Sequence, residues 1–458
     1  MKCFDFVFVY EVKNRELENI LLLRCELEKR GYSVCFVETW DQVFHLTKPI
    51  SAKVVVTFQL YNRGSIRFLE SFVKNCNKII NLQWEQVFTN GDVKANNQGL
   101  HNSYGVSGTA IYGVHICWGR ITHDRLVKNY GVDDRNAPVV GSIAMDFLRP
   151  EFISYYQDRN ALLKRYNINP RNKLVLFISS FNYSGLPKEV LESSMFQNQG
   201  FNVNEFARVS LSSQDGILNW FEIEIEKNPD ITVVYRPHPA ENNNERLKHM
   251  SEKNGNFYVI SDYSVKQWII IADKIFSWYS TSVVEAYMAH KGCSILRPVE
   301  VPYDSELELY NNAKLITSFE EFDRNYTEEV GCPLDIDLLN AYYDFDFNKP
   351  TYRKVADVCE EVLNDDSYQI QEMKNENMNS FAMAAHNVKK FFVYRVICNK
   401  VFYSFLRMIT KSKKNRSNKI IDSFDVCMYN KKMYQNNHTS KKDLDMLYEK
   451  IKKLIFVK

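Results

Sequence analysis

Residues 233–298 carry the pattern that most restricts this chain. Two strand-like runs, VVY at 233–235 and KIFS at 274–277, each stop at polar residues: Arg236 and His238 after the first, Ser280, Thr281 and Ser282 after the second. Pro237 and Pro239 forbid a central strand beyond Arg236, so the first cluster lies on a loop at the strand's end. After the second run, WYSTS leads into residues 283–290 of helical composition, Gly292 stops the helix, and Ile295 and Leu296 begin a further strand. Strand, polar turn, helix and strand in succession predict a parallel, doubly wound sheet, in which ligands bind outside the carboxyl ends of the strands. Both clusters fall there. A cation, an imidazole and a hydroxyl-rich turn with free backbone N–H groups at a helix start suit a phosphate.

Plainer readings exist for two of these residues. Ser282-Val-Val-Glu285 fits a capping box, in which Ser and Glu satisfy each other's backbone donors, as well as it fits a ribose contact through Glu285. His238 between two prolines also fits a turn, although Arg236 two positions away favours an anion site.

Tyr235-Arg236-Pro237-His238-Pro239 followed by Ser280-Thr281-Ser282 resembles the paired HP and SS/ST motifs of bacterial capsule and surface-carbohydrate glycosyltransferases. That group includes polysialyltransferases, Kdo transferases of capsule assembly and, more distantly, CDP-glycerol glycerophosphotransferases. The resemblance is strongest over residues 233–298 and absent from the C-terminal tail. It implies an α/β GT-B architecture, two Rossmann-like domains facing a cleft, with His238 and the hydroxyl turn holding the phosphate of a cytidine nucleotide donor. By the same resemblance, the first turn of the second domain faces that phosphate, which adds Ser180 and Asn182.

A chain of 458 residues exceeds what one core accommodates. We expect an N-terminal acceptor domain over 1–150, a linker over 151–172, a nucleotide-donor domain over 173–345, closing helices over 346–388 and a tail over 389–458. Residues 5–10, 32–37, 54–58 and 78–82 read as strands and 15–30 as a helix, an alternation that implies a parallel sheet.

At the end of the 78–82 strand stands Trp84-Glu85-Gln86. The resemblance places the acceptor-activating base here, where the related enzymes keep a short acidic motif followed by Gly; this chain has one acid and no Gly. A carboxylate buried beside an indole would have a raised pKa suited to a general base. An ordinary exposed loop Glu is the alternative. Residues 91–113 form a long Gly-, Asn- and Ser-rich loop, read as part of the acceptor pocket, with Asn97, Gln98 and His101 as its polar groups and His101 as a second possible base. Gly141 to Asp146 has the form of a segment leading to the linker in these transferases, and equally of closing scaffold. Ser264-Val-Lys-Gln267 reads as another capping box.

The near-neutral total charge conceals a split. Residues 389–458 hold 18 Lys and Arg against 5 Asp and Glu, leaving 40 against 51 in the rest. Residues 391–409, FFVYRVICNKVFYSFLRMI, are too interrupted by cations to span a bilayer and suit a helix lying in an anionic membrane surface, followed by KSKKNR at 411–416. The alternative is a basic helix packed on the acidic body. No nucleic-acid motif accompanies the charge. The N-terminus enters a strand directly without a signal-peptide pattern, so the expected place is the cytoplasm, peripheral to the inner membrane face. Ten scattered cysteines with no CxxC and no Cys/His cluster lead us to expect no metal, and the donor is a substrate, so no cofactor is expected.

The function expected is inverting transfer of a CMP-linked sugar to a hydroxyl of a glycan or lipid-linked glycan in capsular or surface polysaccharide synthesis. A CDP-glycerol glycerophosphotransferase would use the same sites. A GT-B epimerase is disfavoured, because the phosphate turn lacks a Gly-Gly pair. A non-catalytic, membrane-bound nucleotide-binding subunit gains weight from the degraded acidic motif.

Overall fold

The opening run KCFDFVFVY becomes strand β1 (Lys2–Tyr10), whose inner half is buried on both faces, as the central strand of a parallel sheet must be. A computed structural model describes residues 2–39, 50–58, 60, 66, 69–70, 73–94, 112–186, 191–192, 200–239, 241, 244–328, 331–370 and 438–456. Asn97, Gln98, His101, the 391–409 run and the 411–416 cluster lie outside the described residues.

β1 pairs in parallel with β2 (Val34–Glu38) and β3 (Ile50–Thr57), and β4 (Ile79–Asn81) and β5 (Val114–His115) follow in the order β2-β1-β3-β4-β5. The second sheet comprises β6 (Lys173–Ile178), β7 (Ile231–Arg236), β8 (Phe257–Val259), β9 (Lys274–Ser277), β10 (Cys293–Leu296) and β11 (Leu315–Ile316). Its order β11-β10-β9-β6-β7-β8 is the Rossmann order, all parallel. The chain is thus an α/β protein of two Rossmann-like domains, the GT-B arrangement, with a helical C-terminal segment. Order reverses between β1 and β3 in the first sheet and between β6 and β9 in the second, and open α/β sheets take ligands at such switch points.

Two late helices complete the first domain. Helix Thr351–Asn364 buries Tyr352, Val355, Ala356, Cys359 and Val362 in the same core as Phe6, Phe8, Leu21 and Leu22. Arg30 fixes it through Asp357 at 2.9 Å and Glu360 at 2.6 Å. The C-terminal helix Lys441–Phe456 adds Ile451 and Ile455 to that core, Tyr448 donates to Glu28 at 2.6 Å, and Lys450 lies 3.7 Å from the centre of the Tyr155 ring. Residues 441–456 therefore follow the second of the two readings of the tail, a basic helix on the body. Their spacing explains this: Leu447, Ile451 and Ile455 recur every four residues and line one face.

Segment 141–146 proves to be scaffold. Gly141 has φ +92°, and a Cβ there would lie 2.7 Å from the Asp344 carbonyl. Asp146, 1% exposed, pairs with Arg149 at 2.7 Å and accepts the Thr351 and Tyr352 N–H groups at 2.9 and 2.7 Å. The two domains meet where Thr89 bridges to Leu307 and where Asn90 and Asn311 exchange side-chain hydrogen bonds at 3.0 and 2.9 Å.

Candidate active site between the two domains

On the second domain, three strand ends bring the expected donor-side groups together. β6 delivers Ser179 and Ser180, both buried, with Asn182 half-buried beyond them; β7 delivers Arg236 and His238; β9 delivers the 280–282 turn. β6 and β9 are neighbours at the switch point, so Ser180 and the hydroxyl turn flank one crevice.

The geometry gives Arg236 a different duty from the expected one. Its guanidinium donates to the carbonyls of Ile260 at 3.2 Å and Asp262 at 2.9 Å, and to that of Tyr263. Tyr263 has φ +64°, a backbone conformation costly for a side-chain-bearing residue, and these bonds help hold it. Arg236 thus braces the β8 loop. The reason is its position: as the last residue of β7 it lies beside the β8 end, which pairs through Tyr235 and Val259.

The amides of the hydroxyl turn are engaged as well. Ser280 N–H donates to the Tyr310 hydroxyl at 3.1 Å, Ser282 N–H to Ser280 Oγ at 3.2 Å, and Val283 and Val284 N–H to the carbonyls of Ser280 and Thr281 at 3.2 and 2.9 Å. The expectation of free N–H groups there is corrected on these four positions. Thr281 remains exposed and Ser282 half-buried, so hydroxyls are what the turn presents.

Neither capping box forms. Helix Ser282–Met288 begins without a side-chain cap, and Glu285 instead pairs at 3.0 Å with Lys266, both largely buried. Glu285 is thereby tied to the neighbouring helix Val265–Ile271, in place of a cap or an open ribose contact. Gln267 meets the linker rather than Ser264, accepting Gln157 N–H at 2.8 Å and donating to its carbonyl at 3.0 Å. In both cases a tertiary partner displaced the local one.

His238 is half-buried in the Pro-His-Pro turn. Burial lowers its pKa below the ordinary histidine value, and the Glu85 carboxylate opposes that shift. The domains therefore bring Glu85 within electrostatic reach of His238. Glu85 itself differs from expectation in its surroundings. Trp84 turns inward and stacks on Phe58 with centroids 4.8 Å apart, whereas Glu85 is exposed and paired with Arg15. The burial beside an indole that motivated a tuned carboxyl at Glu85 is absent. Gln86 is structural, linking the loop to β5 through the Ile116 carbonyl at 2.8 Å and the Trp118 N–H at 2.8 Å.

The tuned carboxyl is Glu16, which sequence reading missed. The run KNREL looks like an exposed helix start, but residues Lys13–Leu17 wind as a π-helix, a form frequent at functional sites. The turn carries Glu16 inward to 1% exposure, where it accepts the Glu11 N–H at 2.7 Å and lies 3.6 Å from Arg15. Arg15 thus links Glu16 to Glu85. Burial pushes the Glu16 carboxyl up to about 7, against the Glu11 amide and the Arg15 cation. A raised carboxyl keeps a proton in the native state that the unfolded chain releases, so its stabilisation is complete below about pH 4.5 and is lost as pH rises through about 7. Urea unfolding at pH 5 and 7.5 should show Glu16→Gln lacking about 2 kcal/mol of the wild-type loss of stability between them. Parallel pH profiles for the two proteins would contradict the burial of this group.

No protein-family model and no curated protein matches this chain. Solved structures similar to it include UDP-GlcNAc 2-epimerase from Methanocaldococcus jannaschii, at 13% identity over 79% of this chain and 100% of that one with a TM-score of 0.48. The S. aureus MnaA–UDP co-structure matches at 12% identity over 80% and 97% with a TM-score of 0.47. The wall teichoic acid polymerase TagF soaked with CDPG matches at 10% identity over 78% and 88% with a TM-score of 0.48. Likeness of this degree carries no argument, and the chemistry rests on the residues of the site.

Proposed function

We propose that this protein is a metal-independent, inverting glycosyltransferase that moves a sugar from a nucleotide donor, CMP-linked, to a hydroxyl of a surface glycan. The observation that carries the proposal is the convergence of Ser180, His238 and the 280–282 turn at the carboxyl ends of β6, β7 and β9, with the Glu85 carboxylate of the first domain close enough to oppose the burial shift of His238. In the reaction the acceptor oxygen attacks the anomeric carbon as Glu85 takes its proton. A new C–O bond forms on one face, the bond to the donor phosphate breaks on the other, and the nucleotide leaves. His238 and the hydroxyls of Thr281, Ser282 and Ser180 would receive the departing phosphate, preorganised donors of the kind that typically contribute about 3 kcal/mol each. The acceptor would be a glycan or lipid-linked glycan, and residues 389–437 would hold the enzyme to the anionic inner face of the membrane, as helix Lys441–Phe456 lies on the first domain.

Thermal unfolding with CMP, CDP, UDP and GDP tests the donor side, because a ligand that binds only the native state raises its midpoint by mass action. We expect CMP alone to stabilise, by about 3 kcal/mol at a hundredfold excess over Kd, and His238→Ala to reduce the shift markedly. A larger shift with UDP would overturn the cytidine assignment, and a response to CDP combined with glycerol-phosphate transfer would favour the glycerophosphotransferase.

A further inference from the structure

Glu241 lies three residues beyond His238, and four hydrogen-bond donors from four parts of the second domain converge on its carboxylate. Oε2 accepts the His238 backbone N–H at 3.0 Å and the Ser179 hydroxyl at 2.5 Å. Oε1 accepts the Tyr235 hydroxyl at 2.7 Å and Gln214 Nε2 at 2.9 Å. The Glu241 N–H in turn donates to the His238 carbonyl at 2.8 Å, closing the turn. Tyr235 is fully buried in β7, Ser179 follows β6, and Gln214, 1% exposed, comes from the long helix Val203–Lys227.

We propose that Glu241 is a positioning residue for His238, a carboxylate clamp that fixes the Pro-His-Pro turn against β6, β7 and the long helix so that the imidazole stands at the cleft. The functional part of this inference rests on the donor-side reading above; the clamp itself does not. A carboxylate is needed because it accepts at both oxygens and donates at neither. Two of the four donors are hydroxyls and can rotate away. The His238 N–H cannot, and neither can the Gln214 amide, whose oxygen already accepts Ser184 Oγ at 2.7 Å and Asn244 Nδ2 at 3.0 Å. These two fixed donors address opposite oxygens of Glu241. Whichever way an amide were placed there, its NH₂ would face one of them. Glu241→Gln therefore breaks the clamp at almost constant volume, leaving a buried donor unsatisfied.

The test compares wild type, Glu241→Gln, His238→Ala and the double variant. NMR follows the His238 Cε1–H resonance without ligand, and CMP affinity is measured on all four. In Glu241→Gln the resonance should move and CMP should bind about tenfold more weakly, and the double variant should bind no more weakly than His238→Ala alone, since the two changes remove one unit. An unmoved resonance, or losses that simply add, would overturn the proposal. If neither single variant alters CMP binding while the resonance moves, the clamp stands and the donor-site reading fails. Should Glu241→Gln fail to fold, Ser179→Ala removes one donor from the oxygen that holds the His238 amide. It should move the resonance in the same direction by less, and no movement would overturn the proposal.

Discussion

His238→Ala should lower turnover by roughly 10²–10³-fold and leave far-UV circular dichroism and the unfolding midpoint unchanged. The effect is large because the imidazole is half-buried at the end of β7, where burial favours its neutral form and Glu85 opposes that shift. A preorganised donor aimed at the departing phosphate from a partly desolvated site is the kind of group whose removal costs this much. The fold should survive because the turn is clamped through the His238 backbone N–H, which Ala retains. Donor turnover under saturating acceptor is the measurement. Activity within threefold of wild type would remove His238 from the site and, with it, the reading of the β7 end as the donor side.

Asp146→Ala should cost roughly 3–5 kcal/mol, since removal of one partner from a buried ion pair strands the other. Arg149, 5% exposed, would lose the Asp146 carboxylate and keep only carbonyl acceptors, those of Phe347 at 3.1 Å, Asp346 at 2.5 Å and Lys349 at 3.4 Å. The Thr351 and Tyr352 N–H groups would lose their acceptor as well. Burial pushes the Asp146 carboxyl up to about 6, a sign of how strongly the site resists a lone charge. Urea denaturation at pH 7.5 reads the loss, and the double variant Asp146→Ala/Arg149→Met should recover part of it. If the single variant unfolds at the wild-type midpoint, this crossing of the chain contributes no stability.

Much of the fold was legible because buried parallel strands are continuous apolar runs: 274–277 matches β9 residue for residue, and 233–235 falls within β7. The long helix Val203–Lys227 is hard to read from the sequence, because SSQDG at 212–216 breaks its apolar pattern. Two of these residues, Ser213 and Gln214, face inward: Gln214 serves Glu241, and Gly216 lets Pro298 approach to 3.0 Å of where a Cβ would be. At the site, strand ends located His238, Ser180 and the 280–282 turn, since topology puts loops there. What sequence spacing does not encode is which neighbour each polar group meets. Lys266 is 19 positions from Glu285 and Ile260 is 24 from Arg236, and both meetings depend on tertiary packing. Glu16 was hidden by a single turn of π-helix, which rotates a residue inward without altering composition.

The completion of the first domain's core by residues 351–364 and 441–456 reverses the order in which the halves can mature on the ribosome. The second sheet ends with β11 at Ile316 and has its strands in hand while the start of the chain still awaits its last two helices. N-terminal domains generally fold first during synthesis. Here the first-domain core is completed only once residues 441–456 have emerged, with the part of helix Glu18–Lys29 they cover exposed until then. A nascent chain emerged only as far as residue 440 would thus present a completed second domain joined to a first domain still lacking part of its core.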